Sequence, residues 1–168
     1  MAGRAVRMRI EHNVPDLTRA LRRAPTECLR GMDRGMAAGA LHIMRRAREL
    51  APKATSLLTQ SIIASRVGMG EHIVAALAGH TGPVEQGRKP GPMPPVQPII
   101  DWIRARGIEP RDPSIRTQRG LAFAIARKIS RDGTEAQPFM RPALTGGLPL
   151  VERLATDGAI AGARRAFA

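Results

Sequence analysis

From residue 16 to residue 50, Leu17, Leu21, Leu29, Met32, Met36, Leu41, Ile43 and Met44 form an irregular apolar stripe that predicts helix. Pro25, Gly31, Gly35 and Gly39 interrupt it. Pro25 predicts a break, leaving a short first helix and a longer second one that ends before Pro52. Two short apolar runs, 62–67 and 72–78, flank Gly68-Met69-Gly70-Glu71 and predict a β-hairpin. Prolines and glycines crowd residues 79–98 and predict a long surface loop. Helical spacing returns over 96–106, where Ile99, Ile100, Trp102 and Ile103 share one broad face and Gly107 is the stop. Beyond a polar loop holding Pro110 and Pro113, a helix is expected from Thr117 to Ser130. Leu121, Ile125 and Ile129 form its stripe, with Phe123 beside it and Arg127, Lys128 and Arg131 at the end that favours cations. Asp132-Gly133 ends that helix, and Gly146-Gly147 precedes a final amphipathic helix over 149–167.

One segment stands outside these periodicities: Ala136-Gln137-Pro138-Phe139-Met140-Arg141-Pro142-Ala143-Leu144. Its two prolines bias Gln137 and Arg141 to extended geometry and predict a stiff rod from which Phe139 and Met140 project. Two uses fit such a rod: a docking element, or a loop that caps the core.

Composition narrows the setting. A chain of 168 residues holds one domain with extensions. Apolar residues make up 43% but aromatics only 2% (Trp102, Phe123, Phe139, Phe167), so the core is built from small aliphatic side chains. Each buries little area, which favours a protein that gains part of its stability from neighbours in an assembly. The formal charge of +13, carried mostly by Arg, suits a polyanion or an acidic protein partner. Cys28 is the only cysteine, which excludes an internal disulfide and any multi-cysteine metal site and suits a reducing compartment. No apolar run approaches the length that spans a bilayer, and Arg4, Arg7 and Arg9 are not followed by a signal-type apolar stretch, so a soluble protein with no membrane partner is expected.

Motifs for chemistry are missing. Gly82-Pro83-Val84-Glu85-Gln86-Gly87-Arg88-Lys89 has two glycines at the separation of a phosphate loop, but prolines follow where the Ser or Thr and a helix are needed. His12, His42, His72 and His80 stand apart from other candidate metal ligands, and Gly68-Met69-Gly70 lacks the third glycine of a dinucleotide fingerprint. Glu85 is the lone acid of a basic, proline-rich stretch, a pattern that suits a salt bridge or loop anchor better than catalysis. Neither an enzyme nor a cofactor is expected. The few aromatics and the lack of a recognition helix leave sequence-independent phosphate contact as the only plausible DNA-binding mode.

Three segments, in a fixed order, resemble the neck and tail-completion proteins of long-tailed double-stranded-DNA bacteriophages, the minor tail or head-tail joining family. Ala51-Pro52-Lys53-Ala54-Thr55-Ser56-Leu57-Leu58-Thr59-Gln60-Ser61-Ile62 is similar to the family's Ala-Pro-x-x-Thr-Gly-x-Leu-x-x-Ser-Ile. Val84-Glu85-Gln86-Gly87 is similar to its Val-Glu-x-Gly turn, and Gln137-Pro138-Phe139-Met140-Arg141-Pro142-Ala143 matches its third motif closely. The likeness covers about residues 36–144. Ser56 replaces the usual Gly, Arg88 the usual Thr, and the tyrosines that commonly precede Val-Glu are absent, with His80 and Pro83 nearby.

The elements and the resemblance together give an expected α+β fold. A small antiparallel sheet, formed by a hairpin at about 60–78 plus a strand near 80–86, packs against long N-terminal and central helices, with a C-terminal helix. Residues 1–15 are expected as a basic extension, 16–145 as the domain and 146–168 as a helical extension. The resemblance implies a non-catalytic virion protein, made in the host cytoplasm, that forms a ring of six copies at the junction of head and tail. Its partners would be further copies of itself, other neck and tail proteins (head-closure or connector, tail terminator or tail tube) and the double-stranded DNA in the channel. Glu85, Arg88, Lys89, Pro138, Phe139, Met140, Arg141 and Pro142 are the expected interaction residues, with Phe139 as the anchor. A free DNA-binding protein and a tail terminator subunit are the alternatives.

Overall fold

The structure, a computed structural model, describes residues 14–52 and 56–168. The expected basic extension therefore lies almost wholly outside the described residues, as do Lys53, Ala54 and Thr55 of the first motif. The fold is α+β and mostly helical. Helix α1 (Val14–Leu50) leads through the short α2 (Ser56–Gln60) into an antiparallel hairpin, β1 (Ile62–Gly68) and β2 (Glu71–Ala76). Then follow α3 (Thr81–Gln86), α4 (Val96–Arg106), α5 (Gln118–Asp132) and α6 (Met140–Phe167).

Three local expectations are corrected. Helix α1 runs unbroken through Pro25. Pro25 is exposed, and the carbonyl that loses its partner belongs to Leu21, itself 57% exposed, so the lost hydrogen bond lies on the solvent side. The region expected as a strand near 80–86, inside the long loop, is instead α3. Pro83 cannot donate to a sheet ladder, but it falls in the first turn of α3, where an N–H has no helical acceptor, and Val84 N–H donates to the His80 carbonyl at 3.1 Å. The sheet has two strands. Helix α6 begins at Met140 and passes through Gly146-Gly147 and Pro149, so the expected division at residue 145 falls inside one helix.

What holds α6 in place is a row of glycines. Every fourth residue of α1 from Gly31 to Ala47 is buried (Gly31, Gly35, Gly39, Ile43, Ala47), and Ala51 just beyond the helix continues the row. Antiparallel α6 lies along it. A Cβ on Gly31 would overlap the carbonyl of Gly158, one on Gly158 would overlap that of Gly31, and one on Gly162 would overlap that of Glu27. The glycines that read as interruptions are the close-contact face of two helices packed nearer than ordinary side chains allow.

Two cores result. In the main one, Ile43, Ala47, Ala51, Leu58, Ile62, Phe139 and Ala143 meet where α1, the hairpin and the start of α6 converge, with Val74, Val84 and Met140 packed against them. The second is built by α4, α5 and the Ile108 that follows α4, from Ile100, Ile103 and Ala122 with Trp102, Leu121 and Ile125 around them. Thr117 caps α5 by accepting the Gly120 N–H at 3.0 Å, as the helix boundary expected there requires. Among the described residues no helix is long and apolar enough to cross a membrane.

Candidate functional site

The second and third motif segments meet. Gln137 N–H donates to the Val84 carbonyl at 2.8 Å, which lays the chain before α6 against α3. Helix α6 opens with no capping oxygen of its own, because Phe139 occupies the N-cap. Glu85, 54 residues earlier, takes over. Its Oε2 accepts the N–H groups of Phe139 at 2.8 Å and Met140 at 2.9 Å, and its Oε1 accepts that of Arg141 at 2.9 Å. The next residue, Pro142, has no N–H to satisfy. One carboxylate thus serves the donors that the opening of α6 leaves free, at the end of the helix dipole that favours an anion.

Each residue of the third motif acquires a physical role from this arrangement. Pro138 holds the extended approach, Phe139 drops into the core, residues 139–141 present three N–H groups, and Pro142 starts the helix without a missing bond. Phe139 is fully buried, the largest such side chain among the described residues. This corrects the projecting anchor expected from the rod, which stays extended only as far as Phe139: Pro142 fits the first turn of α6 and does not prevent helix there. Burial would raise the Glu85 pKa, but the N–H groups of Phe139, Arg141 and Met140 and the charge of Arg141 outweigh it, so the carboxyl lies below its usual range.

Beside this latch lies an open groove of about 460 Å³. Its floor is apolar, from Met36, Ala40 and Ile43 of α1, Val74 of β2, and Met140, Leu144, Leu148 and Val151 of α6; Glu85, Arg141 and His72 supply its polar rim. Leu144 and Leu148 are 47% and 43% exposed. Of the expected interaction residues, the structure brings Glu85, Phe139, Met140 and Arg141 together, and Pro138 and Pro142 flank them on the surface. Arg88 turns to a different task. Its backbone exchanges hydrogen bonds with Thr134 (2.9 and 2.8 Å) and its guanidinium donates to the Pro92 carbonyl, while Lys89 is exposed.

The Arg88–Thr134 pair is the foot of the α4–α5 excursion. Gly87 (φ 73°) and Gly133 (φ 77°) adopt left-handed backbone on its two sides, and a Cβ on Gly133 would overlap the Arg88 carbonyl. Gly91 N–H donates to the Ser130 carbonyl at 2.8 Å and extends the pairing.

A second carboxylate, not singled out from the sequence, ties the hairpin to α1. Asp33 Oδ1 accepts the Gly70 N–H at 2.8 Å and lies 3.1 Å from His72 Nε2, and Oδ2 lies 3.1 Å from an Arg66 guanidinium nitrogen. The Gly70 N–H is the main reason its pKa is lowered; burial opposes the shift and Arg66 and His72 reinforce it. Its partners lie more than thirty residues away, so no local spacing marks it. Among the described residues, no group of three or more His, Cys, Asp or Glu side chains is arranged to hold a metal ion. In comparisons with protein-family models, with curated proteins and with solved structures, the chain has no match.

Proposed function

We propose that this protein is a structural subunit of a ring at the neck of a long-tailed double-stranded-DNA bacteriophage, joining the DNA-filled head to the tail, with no catalytic step of its own. The observation that carries this reading is the union of two resembling segments in one device. Val84-Glu85 and Gln137–Pro142, separated along the chain by the whole of the second core, interlock residue by residue through Glu85. A chance likeness in two short segments gives no reason for them to cooperate so closely.

Surface chemistry supports the same reading. The outer face of the hairpin exposes Ile63, Val67 and Ile73, and the groove exposes Leu144 and Leu148. Separate apolar patches on one subunit suit the head-to-tail contacts that close a ring, since each copy then offers one face and receives another. Electron microscopy of particles assembled without the protein tests the reading. Unjoined heads and tails are expected; joined, infectious particles would overturn it.

A further inference from the structure

We propose that the outward face of α5 binds the phosphate backbone of double-stranded DNA. Arg119, Phe123, Arg127 and Arg131 recur every fourth residue on that face, with Lys128 beside them, and all five are exposed. The opposite face, Leu121, Ala122 and Ile125, packs into the core shared with α4, which fixes the direction in which the basic stripe points.

The charge of this stripe is little compensated. Among the described residues neither Arg119 nor Arg127 has a carboxylate partner, and the one acid on α5, Asp132, stands at its last residue, held by Arg131 at 2.7 Å. On α1 the cations are partly compensated: Arg19 pairs with Asp16, Arg30 with Glu27 and Arg46 with Glu49, each within its own helix, while Arg22, Arg23 and Arg34 have no carboxylate partner among the described residues but form no four-residue stripe about an aromatic ring. Net charge is spread over the chain, but α5 offers cations that the fold leaves for a ligand.

The Arg127 guanidinium lies 5.9 Å from the centre of the Phe123 ring. Stacking of this kind orders an arginine without consuming its hydrogen-bond donors. Phe123 is 48% exposed in a chain with only three phenylalanines, and a ring so placed, in a shallow hollow with Ile115 and Ala124, makes a support for the basic side chains. At 1.5 Å per residue, Arg119 to Arg131 spans about 18 Å, along which each strand of B-form DNA presents about five phosphates. Nothing on the stripe is placed to read base edges, so the contact is independent of sequence. The choice of DNA over another polyanion rests on the ring reading above.

The test is a titration of a short mixed-sequence duplex with the full chain at salt from about 50 to 200 mM. The wild-type protein should bind with steep salt dependence. The double variant R127A/K128A should bind on the order of tenfold more weakly at the lowest salt, with a log–log salt slope shallower by about 2. A charge-matched control on α1, R19A/R30A, should stay within about twofold of wild type. Thermal melting checks that R127A/K128A folds; R119A, which removes neither member of the Arg127–Phe123 contact, gives a second reading with a slope shallower by about 1. No binding by the wild-type protein at the lowest salt, or equal losses in both double variants, would overturn the proposal. Native mass measurement reads ring formation separately. A ring whose DNA binding ignores α5 sinks this inference alone; a monomer that binds DNA through α5 sinks the ring reading alone.

Discussion

Glu85 accepts the backbone N–H of Phe139 at 2.8 Å, and with it the opening of α6 is held by a side chain 54 residues earlier, from before the α4–α5 excursion. Replacing that carboxylate should unfasten α6 from α3. Glu85→Ala is expected to lower stability by about 2 kcal/mol, within the range for charged caps and charge-assisted hydrogen bonds. Glu85→Gln, which keeps an acceptor oxygen, should lose less. Urea unfolding of the three proteins gives the comparison; an unchanged midpoint for Glu85→Ala would remove the latch.

The same carboxylate makes stability depend on acid. Its folded pKa lies below the unfolded value, so its contribution is fully present above the usual carboxylate range and is lost as pH falls through the folded pKa. Asp33, shifted the same way by the Gly70 N–H, acts in parallel. Urea midpoints should therefore fall on acidification below about pH 4.5, and Glu85→Gln should flatten that fall. Parallel pH curves for wild type and Glu85→Gln would contradict this.

Phe139→Ala should unfold or severely weaken the isolated subunit, by about 3–5 kcal/mol, because it empties the centre of the main core. Phe139→Leu should recover more than half of the loss. If Phe139→Ala melted like wild type yet failed to assemble, Phe139 would be an interface anchor after all.

Neighbouring glycines of α6 should respond with opposite sign. A Cβ on Gly146 meets open space, whereas one on Gly147 would lie 2.6 Å from Ile43 Cγ1. Gly146→Ala is expected to stabilise by up to about 1 kcal/mol through helix propensity, and Gly147→Ala to destabilise. Paired thermal melts suffice to decide.

Leu144→Glu places a charge on the groove wall at a half-exposed position, so it should leave the subunit's melting temperature within a few degrees. Assembly is expected to suffer, seen as loss of the oligomer by native mass measurement. An intact oligomer would place the groove away from the contact between copies.

Much of this architecture was legible in the sequence. The hairpin follows from two apolar runs about a glycine-rich turn, and α4 and α5 from apolar spacing with Gly107, Thr117 and Gly133 at their ends. Glu85 was legible as a loop anchor from its isolation among basic residues and prolines, but its partners were not, since nothing local links it to residues 139–141. The misreadings share one cause. Pro25, Pro83 and Pro142 each deny a helix one donor, but local sequence does not show that the lost donor stands on a solvent-facing side or in a first turn, where it costs little. Gly31, Gly35 and Gly39 are helix-weakening by propensity, whereas at four-residue spacing they form the face on which α6 lies. Tertiary contact overrode local preference at each of these positions.

The pairing of Arg88 with Thr134 has an evolutionary corollary. Because the chain leaves the main body and returns to it at adjacent, hydrogen-bonded residues, and because α4 and α5 bury their own apolar faces against each other, the intervening stretch is a self-contained cassette. A change of length or charge within it meets the rest of the fold only through that hydrogen-bonded foot, away from the α1–α6 pair. Diversification of the surface that α5 presents is thereby uncoupled from the requirements of folding.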